Sequence, residues 1–377
     1  MAESHEANEA NGAQAAGHRS TLPVALDAMG GDYAPAEVVL GAVQAATEYG
    51  VGVTLVGPEP IIAPELAKHD ISGLNITIVH TDEVIGMDEH PAEAVRSKRR
   101  NSITLCHELT RDGKALGAVS AGNSGAVLAA AIFTLRRIKG IDRPAFGGVF
   151  PAANGKRVMV IDIGANTDCK PPYLLQFALM GTAYMRAVFG DTNPTVGLLS
   201  NGEEATKGDQ LTQEAHALIK ASAASAGINF IGNVEGKDIN GGEVDIVVCD
   251  GFVGNVVLKT LEGMSKMLLD TIRQELTAGP ITSVGALLAK PAFDRVRKKL
   301  DYQEYGGVPV LGVNGVSIIA HGRSRAKAIK NAIRVARQAA EAQLPQVIAE
   351  GVARLATAPA ATTSDDAAAA RENVGAS

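Results

Sequence analysis

Cysteine is scarce in this chain. Only Cys106, Cys169 and Cys249 occur in 377 residues, too far apart for a CxxC pair or a metal-binding spacing. So sparse and odd a set points to a reducing compartment, with each thiol a small buried hydrophobe. No run of about 18 apolar residues exists, which argues against a membrane-spanning helix. The first twenty residues lack the basic and apolar regions of a secretory signal, so a cytoplasmic location is expected. Nor is there a surplus of positive charge: the net charge is −6, which argues against a protein that coats nucleic acid. Familiar fingerprints are also missing. No G-x-G-x-x-G follows an apolar run, and the Gly202–Gly208 stretch holds a lysine without being a phosphate-binding P-loop. Ser124 stands in GNSGA rather than G-x-S-x-G, and the eight histidines show no zinc spacing.

What is present is alternation. Short apolar runs predict strands at Val24–Ala28, Val53–Val56, Ile76–His80, Gly117–Ser120, Gly147–Phe150, Val158–Ile163, Thr195–Leu199, Asn229–Gly232 and Asp245–Cys249. Val308–Leu311 and Ser317–Ala320 flank Gly312 and Asn314–Gly315 and predict a hairpin. Helical spacing covers Ala36–Tyr49, Ala92–Arg111, Gly125–Arg136, Tyr173–Phe189, Leu211–Ala224, Asn255–Leu276 and Ser324–Ala342. Strands separated by helices imply βαβ crossovers, a largely parallel sheet and a three-layer α/β/α body. A single catalytic domain over residues 21–356 is expected, between disordered tails at 1–20 and 357–377.

The loops after these strands share a composition. They read Met29-Gly30-Gly31-Asp32, Gly122-Asn123-Ser124-Gly125, Gly164-Ala165-Asn166, Asn201-Gly202 onward to Lys207, Asp250 to Gly254 and Asn255, and His321-Gly322-Arg323. Glycines at a helix start present free N–H groups to an anion. Each loop alone is an ordinary capped turn. All six on one edge of a sheet describe a site for a phosphate-bearing ligand. Without metal, nucleotide or obvious nucleophile, the bound anion itself is the candidate nucleophile.

In order, DAMGGD (27–32), SAGNSGA (120–126), DIGANTDCKP (162–171), NGEEATKG (201–208), CDGFVGNVVLK (249–259) and GVNGVSIIAHGRS (312–324) resemble the phosphate acyltransferases of bacterial phospholipid synthesis. The resemblance runs from about Leu22 to Ala342. Ser124 and Thr167 replace residues that are commonly Thr and Val there. It implies a fold like isopropylmalate dehydrogenase and phosphotransacetylase, and no cofactor or metal. It further implies transfer of a long-chain acyl group from acyl-acyl carrier protein to inorganic phosphate. The product would feed a membrane glycerol-3-phosphate acyltransferase. A homodimer peripherally associated with the inner face of the membrane is also implied. The alternatives are an acyl-CoA:phosphate acyltransferase of the phosphotransacetylase kind, a metal-dependent decarboxylating dehydrogenase and a non-catalytic acyl-binding scaffold at a membrane surface.

Within that reading Lys207 is the cation for phosphate or oxyanion, unless it forms a surface ion pair with Glu203 or Glu204. Asn123, Ser124 and Asn166 are expected to bond phosphate oxygens, and Gly30, Gly31, Gly122, Gly125, Gly164, Asn201, Gly202, Asp250, Gly254 and Asn255 to complete the site. Asp27, Asp32 and Asp162 would orient loops or take a proton. His321 would protonate the departing thiolate. Two other segments suggest contacts. Arg96, Lys98, Arg99 and Arg100, inside an apparent helix, are candidates for docking the acidic carrier protein. So is the basic face of 324–337. Residues 277–300, broken by Gly279–Pro280 and Pro291, offer Ile281, Val284, Leu287 and Leu288 to an anionic membrane surface.

Overall fold

The computed structural model describes residues 21–300 and 306–357. The tails expected at 1–20 and from 358 onward lie outside the described residues. Eleven strands form one sheet: β1 (Val24–Asp27), β2 (Val53–Gly57), β3 (Ile76–His80), β4 (Ala118–Ser120), β5 (Ala145–Pro151), β6 (Arg157–Ile161), β7 (Thr195–Leu199), β8 (Asn229–Val234), β9 (Ile246–Val248), β10 (Val308–Leu311) and β11 (Ser317–Ile319). The helices are α1 (Ala36–Tyr49), α2 (Glu59–Leu66), α3 (Pro91–Ser97), α4 (Ser102–Arg111), α5 (Ser124–Thr134), α6 (Pro171–Phe189), α7 (Gln210–Ala226), α8 (Gly236–Gly241), α9 (Gly251–Thr277), α10 (Pro280–Leu300), α11 (Ala326–Glu341) and α12 (Leu344–Thr357).

The inner apolar runs are strands buried on both faces, as a sheet between helical layers requires, while the edge strands β3 and β8 stay partly exposed. Alternate side chains go to opposite layers. Met159 and Ile161 of β6 join a core with α1, α6, α7, α11 and α12. Val158 and Val160 join a second core with α5 and the base of α9. Helix starts follow their caps: Asn101 accepts from Thr104 N–H, Asn123 from Ala126 N–H, and Asp209 from Thr212 N–H.

The sheet order is β3-β2-β1-β4-β11-β10-β5-β6-β9-β7-β8. Seven neighbouring pairs are parallel and three, around β10 and β5, are antiparallel. The expected hairpin is the β10–β11 pair, with Val308 opposite Ile319. That antiparallel centre has a consequence for the loops. Strands β1 to β5 and β11 run one way, while β6 to β10 run the other. The six polar loops therefore do not share one edge, as the sequence pattern led us to expect. Those after β1, β4 and β11 leave one edge; those after β6, β7 and β9 leave the opposite edge.

Three helical expectations change. Residues 92–111 form two helices, because Asn101 restarts the chain: its side chain caps Thr104 and donates to Lys98 O. Residues 344–357 form α12, which packs on α6 and α7. The 277–300 segment turns at Gly279 and continues helically through Pro291, so α9 and α10 form a hairpin.

Candidate functional site

At the first edge, Asp27 ends β1. It is 2% exposed and accepts from Ser120 Oγ (2.7 Å) and Met29 N–H (3.2 Å). The buried Ser102 hydroxyl lies beside this carboxylate and has no other partner. Burial pushes the Asp27 carboxyl up from its ordinary range, against the lowering pull of the Ser120 bond. Asp32 N–H donates to Gly322 O, tying the first loop to the last. Asn123 caps α5, and both hydrogens of its amide are taken, by Met87 O and Glu89 O. Asn123 thus has no hydrogen left for phosphate; the exposed Ser124 hydroxyl has no hydrogen bond among the described residues. His321 Nδ1 accepts from Arg323 N–H, which puts its hydrogen on Nε2, 3.9 Å from Glu262 of α9.

At the second edge, Asp162 follows β6 and is fully buried. Its Oδ1 accepts from the N–H groups of Phe146, Gly164 and Ala165, and its Oδ2 from Asn166 N–H and Nδ2. Desolvation pushes its carboxyl up and these donors pull it back. With five donors on two oxygens, Asp162 holds the loop and is not placed to take a proton. Asn166 likewise uses both amide hydrogens, on Pro144 O and Asp162, so it does not bind phosphate through its side chain. Asp250 caps α9 by accepting from Phe252 and Val253 N–H. Gly254 is required there: an added Cβ would stand 1.8 Å from Asp162 O. Asn201 Oδ1 accepts from Gly208 N–H, closing the third loop.

Two second-edge groups predicted from the sequence remain open to a ligand. Lys207 is exposed and makes no ion pair among the described residues; Glu203 pairs with Lys237 instead. The Asn255 amide, on the first turn of α9, is exposed and has no hydrogen bond among the described residues. A third polar group there is new: Ser200 Oγ is buried beneath the loop, close to Gly208, with no hydrogen-bond partner among the described residues. The sequence signal for it was its place directly after β7. The three groups leave adjacent strands, since Leu198 of β7 pairs with Val248 of β9. His321 is not among them. Its strand lies five positions from β7 in the sheet, about 24 Å at 4.8 Å per strand.

The proposed docking residues also change. Lys98 bonds Glu89 (2.6 Å) and Val84 O, so it is held within the fold. Arg96 lies over the Phe133 ring at 5.2 Å, and Arg99 and Arg100 are exposed. On α11, Arg325, Lys330 and Arg337 pair with Glu37, Glu48 and Glu341, leaving little free basic face.

A three-layer body with a long mixed sheet defines the class: an α/β protein of the phosphotransacetylase fold. A phosphotransacetylase from Streptococcus pyogenes superposes with a TM-score of 0.57 at 18% identity, covering 85% of this chain and 94% of that one. One from Staphylococcus aureus gives 0.54 at 17%, with the same coverage. The chain belongs to the fatty acid synthesis protein family, whose model matches residues 22–347. A phosphate acyltransferase of Pelotomaculum thermopropionicum is 52% identical over 331 residues, 88% of this chain and 95% of the relative. That of Geobacter sulfurreducens is 49% identical over 329 residues, 87% and 94%.

Proposed function

We propose that this chain transfers a long-chain fatty acyl group from acyl-acyl carrier protein to inorganic phosphate. Half-identity to phosphate acyltransferases over nearly the whole chain supports acyl transfer to phosphate. The observation that carries the site is Lys207, an exposed ammonium without an ion pair among the described residues, on the loop that follows Ser200 at the end of β7, next in the sheet to β9, which leads to Asn255.

A phosphate oxygen attacks the thioester carbonyl carbon, the C–S bond breaks, and acyl phosphate and a thiolate leave. Holding phosphate in line with the carbonyl supplies much of the barrier lowering. Lys207 offsets charge on phosphate or on the developing oxyanion, a contribution worth roughly 3–4 kcal/mol for one preorganised donor. Phosphate is a dianion near neutral pH, so no protein base is required. The buried, bonded Asp162 and Asp27 fit that requirement as loop supports. The pantetheine thiolate leaves as an anion and takes its proton from water.

The carrier protein docks near the first edge. Pro91, which begins α3, abuts Gly125 of that edge, and Arg96, Arg99 and Arg100 follow it. The α9–α10 hairpin contacts an anionic membrane surface, where a glycerol-3-phosphate acyltransferase takes the product. Its α9 face (Met264, Met267, Leu268) contributes to a homodimer.

Purified protein mixed with palmitoyl-acyl carrier protein and labelled inorganic phosphate, without ATP or metal, tests the reaction. Phosphate-dependent acyl phosphate, trapped as a hydroxamate by hydroxylamine, is expected together with an equal amount of free carrier thiol. Turnover only with short acyl-CoA would instead make the chain a phosphotransacetylase. Acyl binding without turnover would make it a scaffold.

A further inference from the structure

The loop that carries Lys207 is held from beneath by a chain of buried polar groups. Glu204 O accepts from Lys207 N–H at 2.9 Å. The same oxygen accepts from Asn233 Nδ2 of β8, also at 2.9 Å. Asn233 Oδ1 lies 2.8 Å from His216 Nδ1 of α7. A carbonyl only accepts, so Asn233 must turn its NH2 to Glu204 and its oxygen to the histidine. His216 therefore donates from Nδ1. Both residues are nearly closed to solvent, at 6% and 7% exposure, and the imidazole packs edge-on against Phe230 at 5.2 Å between centroids.

The backbone is shaped to allow this. Between β7 and β8, Val196 pairs with Phe230 and Gly197 with Gly232, so Ile231 is an extra residue. One added residue turns every following side chain to the other face of the strand. Asn233 owes its orientation toward α7 to that bulge. From the first turn of α7, Gln213 Nε2 holds two more loop carbonyls, Thr206 O and Gly208 O, each at 3.0 Å. The stem of Lys207 crosses Gly202, where an added Cβ would meet its Cγ at 2.7 Å. The loop is thus pinned at both ends and in the middle, and its cation, without an ion pair among the described residues, is held by groups that bond the loop backbone.

We infer that Asn233, held by His216, is a positioning residue that sets where the Lys207 ammonium sits. This rests on the assignment of Lys207 under Proposed function. Its energetic basis is that a buried amide deprived of its partner is costly, and the loop avoids that cost only by moving.

The test is a double-mutant cycle in the phosphate-dependent hydroxamate assay, with circular dichroism and melting temperature recorded for every variant. Lys207→Ala and Asn233→Ala should each lower kcat/KM for phosphate by about tenfold or more. If Asn233 acts through Lys207, adding Asn233→Ala to Lys207→Ala should cost no more than about twofold further. His216→Ala should follow Asn233→Ala, and His216→Asn, whose amide nitrogen stands where Nδ1 stood, should restore activity. Should Asn233→Ala not fold, Asn233→Asp keeps volume and acceptor but lacks the N–H to Glu204, and it is expected to show the same non-additivity. Losses that multiply in the double variant would overturn the inference, as would full activity of Asn233→Ala beside an impaired Lys207→Ala. Full activity of Lys207→Ala would instead overturn the assignment on which it rests.

Discussion

His107 is 1% exposed in the core between α4 and β11, with Nδ1 at 2.8 Å from Ile103 O and Nε2 at 2.9 Å from Ser317 Oγ. Ile103 O can only accept, so Nδ1 carries the hydrogen and Nε2 accepts from the serine. Burial lowers its pKa from 6.5 to about 4, since the imidazolium form would lose its water. A depressed folded value means that the neutral histidine supports the fold above about pH 6.5. That support is lost as the pH falls toward 4, where the folded form finally protonates too. Two to three pH units at 1.36 kcal/mol each amount to about 3 kcal/mol. Urea unfolding at pH 7, 5.5 and 4.5 should show this acid-side loss, and His107→Gln should flatten it by a similar amount. An unchanged slope in the variant would show that His107 is not the titrating group. The thiols obey the same physics. Cys169 is pushed up to about 12, chiefly by desolvation, and burial raises Cys106 and Cys249 well above the usual thiol range. Iodoacetamide at pH 7.5 is therefore expected to leave all three largely unmodified over an hour.

The hairpin of α9 and α10 is the element with least to hold it. Its 27-residue first helix is about 40 Å long, and beyond its first turns nearly every residue is exposed. Ile281 is 86% exposed, Leu287 71% and Leu288 78%, so burial in this chain cannot be why they are apolar. Leu287→Glu with Leu288→Glu should abolish sedimentation with anionic phospholipid vesicles. At sites this open, the melting temperature should move by no more than a degree or two. Undiminished vesicle binding would send the membrane contact elsewhere. Elements like this were legible as departures from periodicity, just as all eleven strands were legible as short apolar runs. What the pattern could not convey was direction. Nothing in the run Val158–Ile161 says that β6 will lie antiparallel to β5, and that single pairing sends half of the polar loops to the far edge. Nor does an Asn in a loop announce whether its amide is free. Asn123 and Asn166 read like Asn255, yet only tertiary neighbours such as Met87 O and Pro144 O take up the first two. The break at Asn101 was missed for a related reason, since a capping residue in mid-pattern looks like one polar position of a longer helix.

At the scale of the whole molecule, charge is distributed against one proposed partner and locally for it. A chain of net charge −6 repels an acidic carrier protein at long range. Arg96, Arg99 and Arg100, after Pro91 and beside the first edge, form a small basic exception whose members are not paired with carboxylates among the described residues. Phosphate is proposed to meet a different arrangement: one exposed lysine on a loop at the second edge. Going from about 0.05 to 0.5 M NaCl shortens the screening length from roughly 14 Å to roughly 4 Å. That weakens an encounter steered by an exposed patch more than it weakens a close contact inside a loop site. KM for acyl-acyl carrier protein should therefore rise by about threefold or more over this range, while KM for phosphate changes less. Arg99→Glu with Arg100→Glu should raise the carrier KM at low salt and remove most of its salt dependence, leaving the phosphate KM as it was. If salt shifts both constants equally, or if the charge-reversed variant keeps the wild-type salt response, the carrier does not dock on this corner.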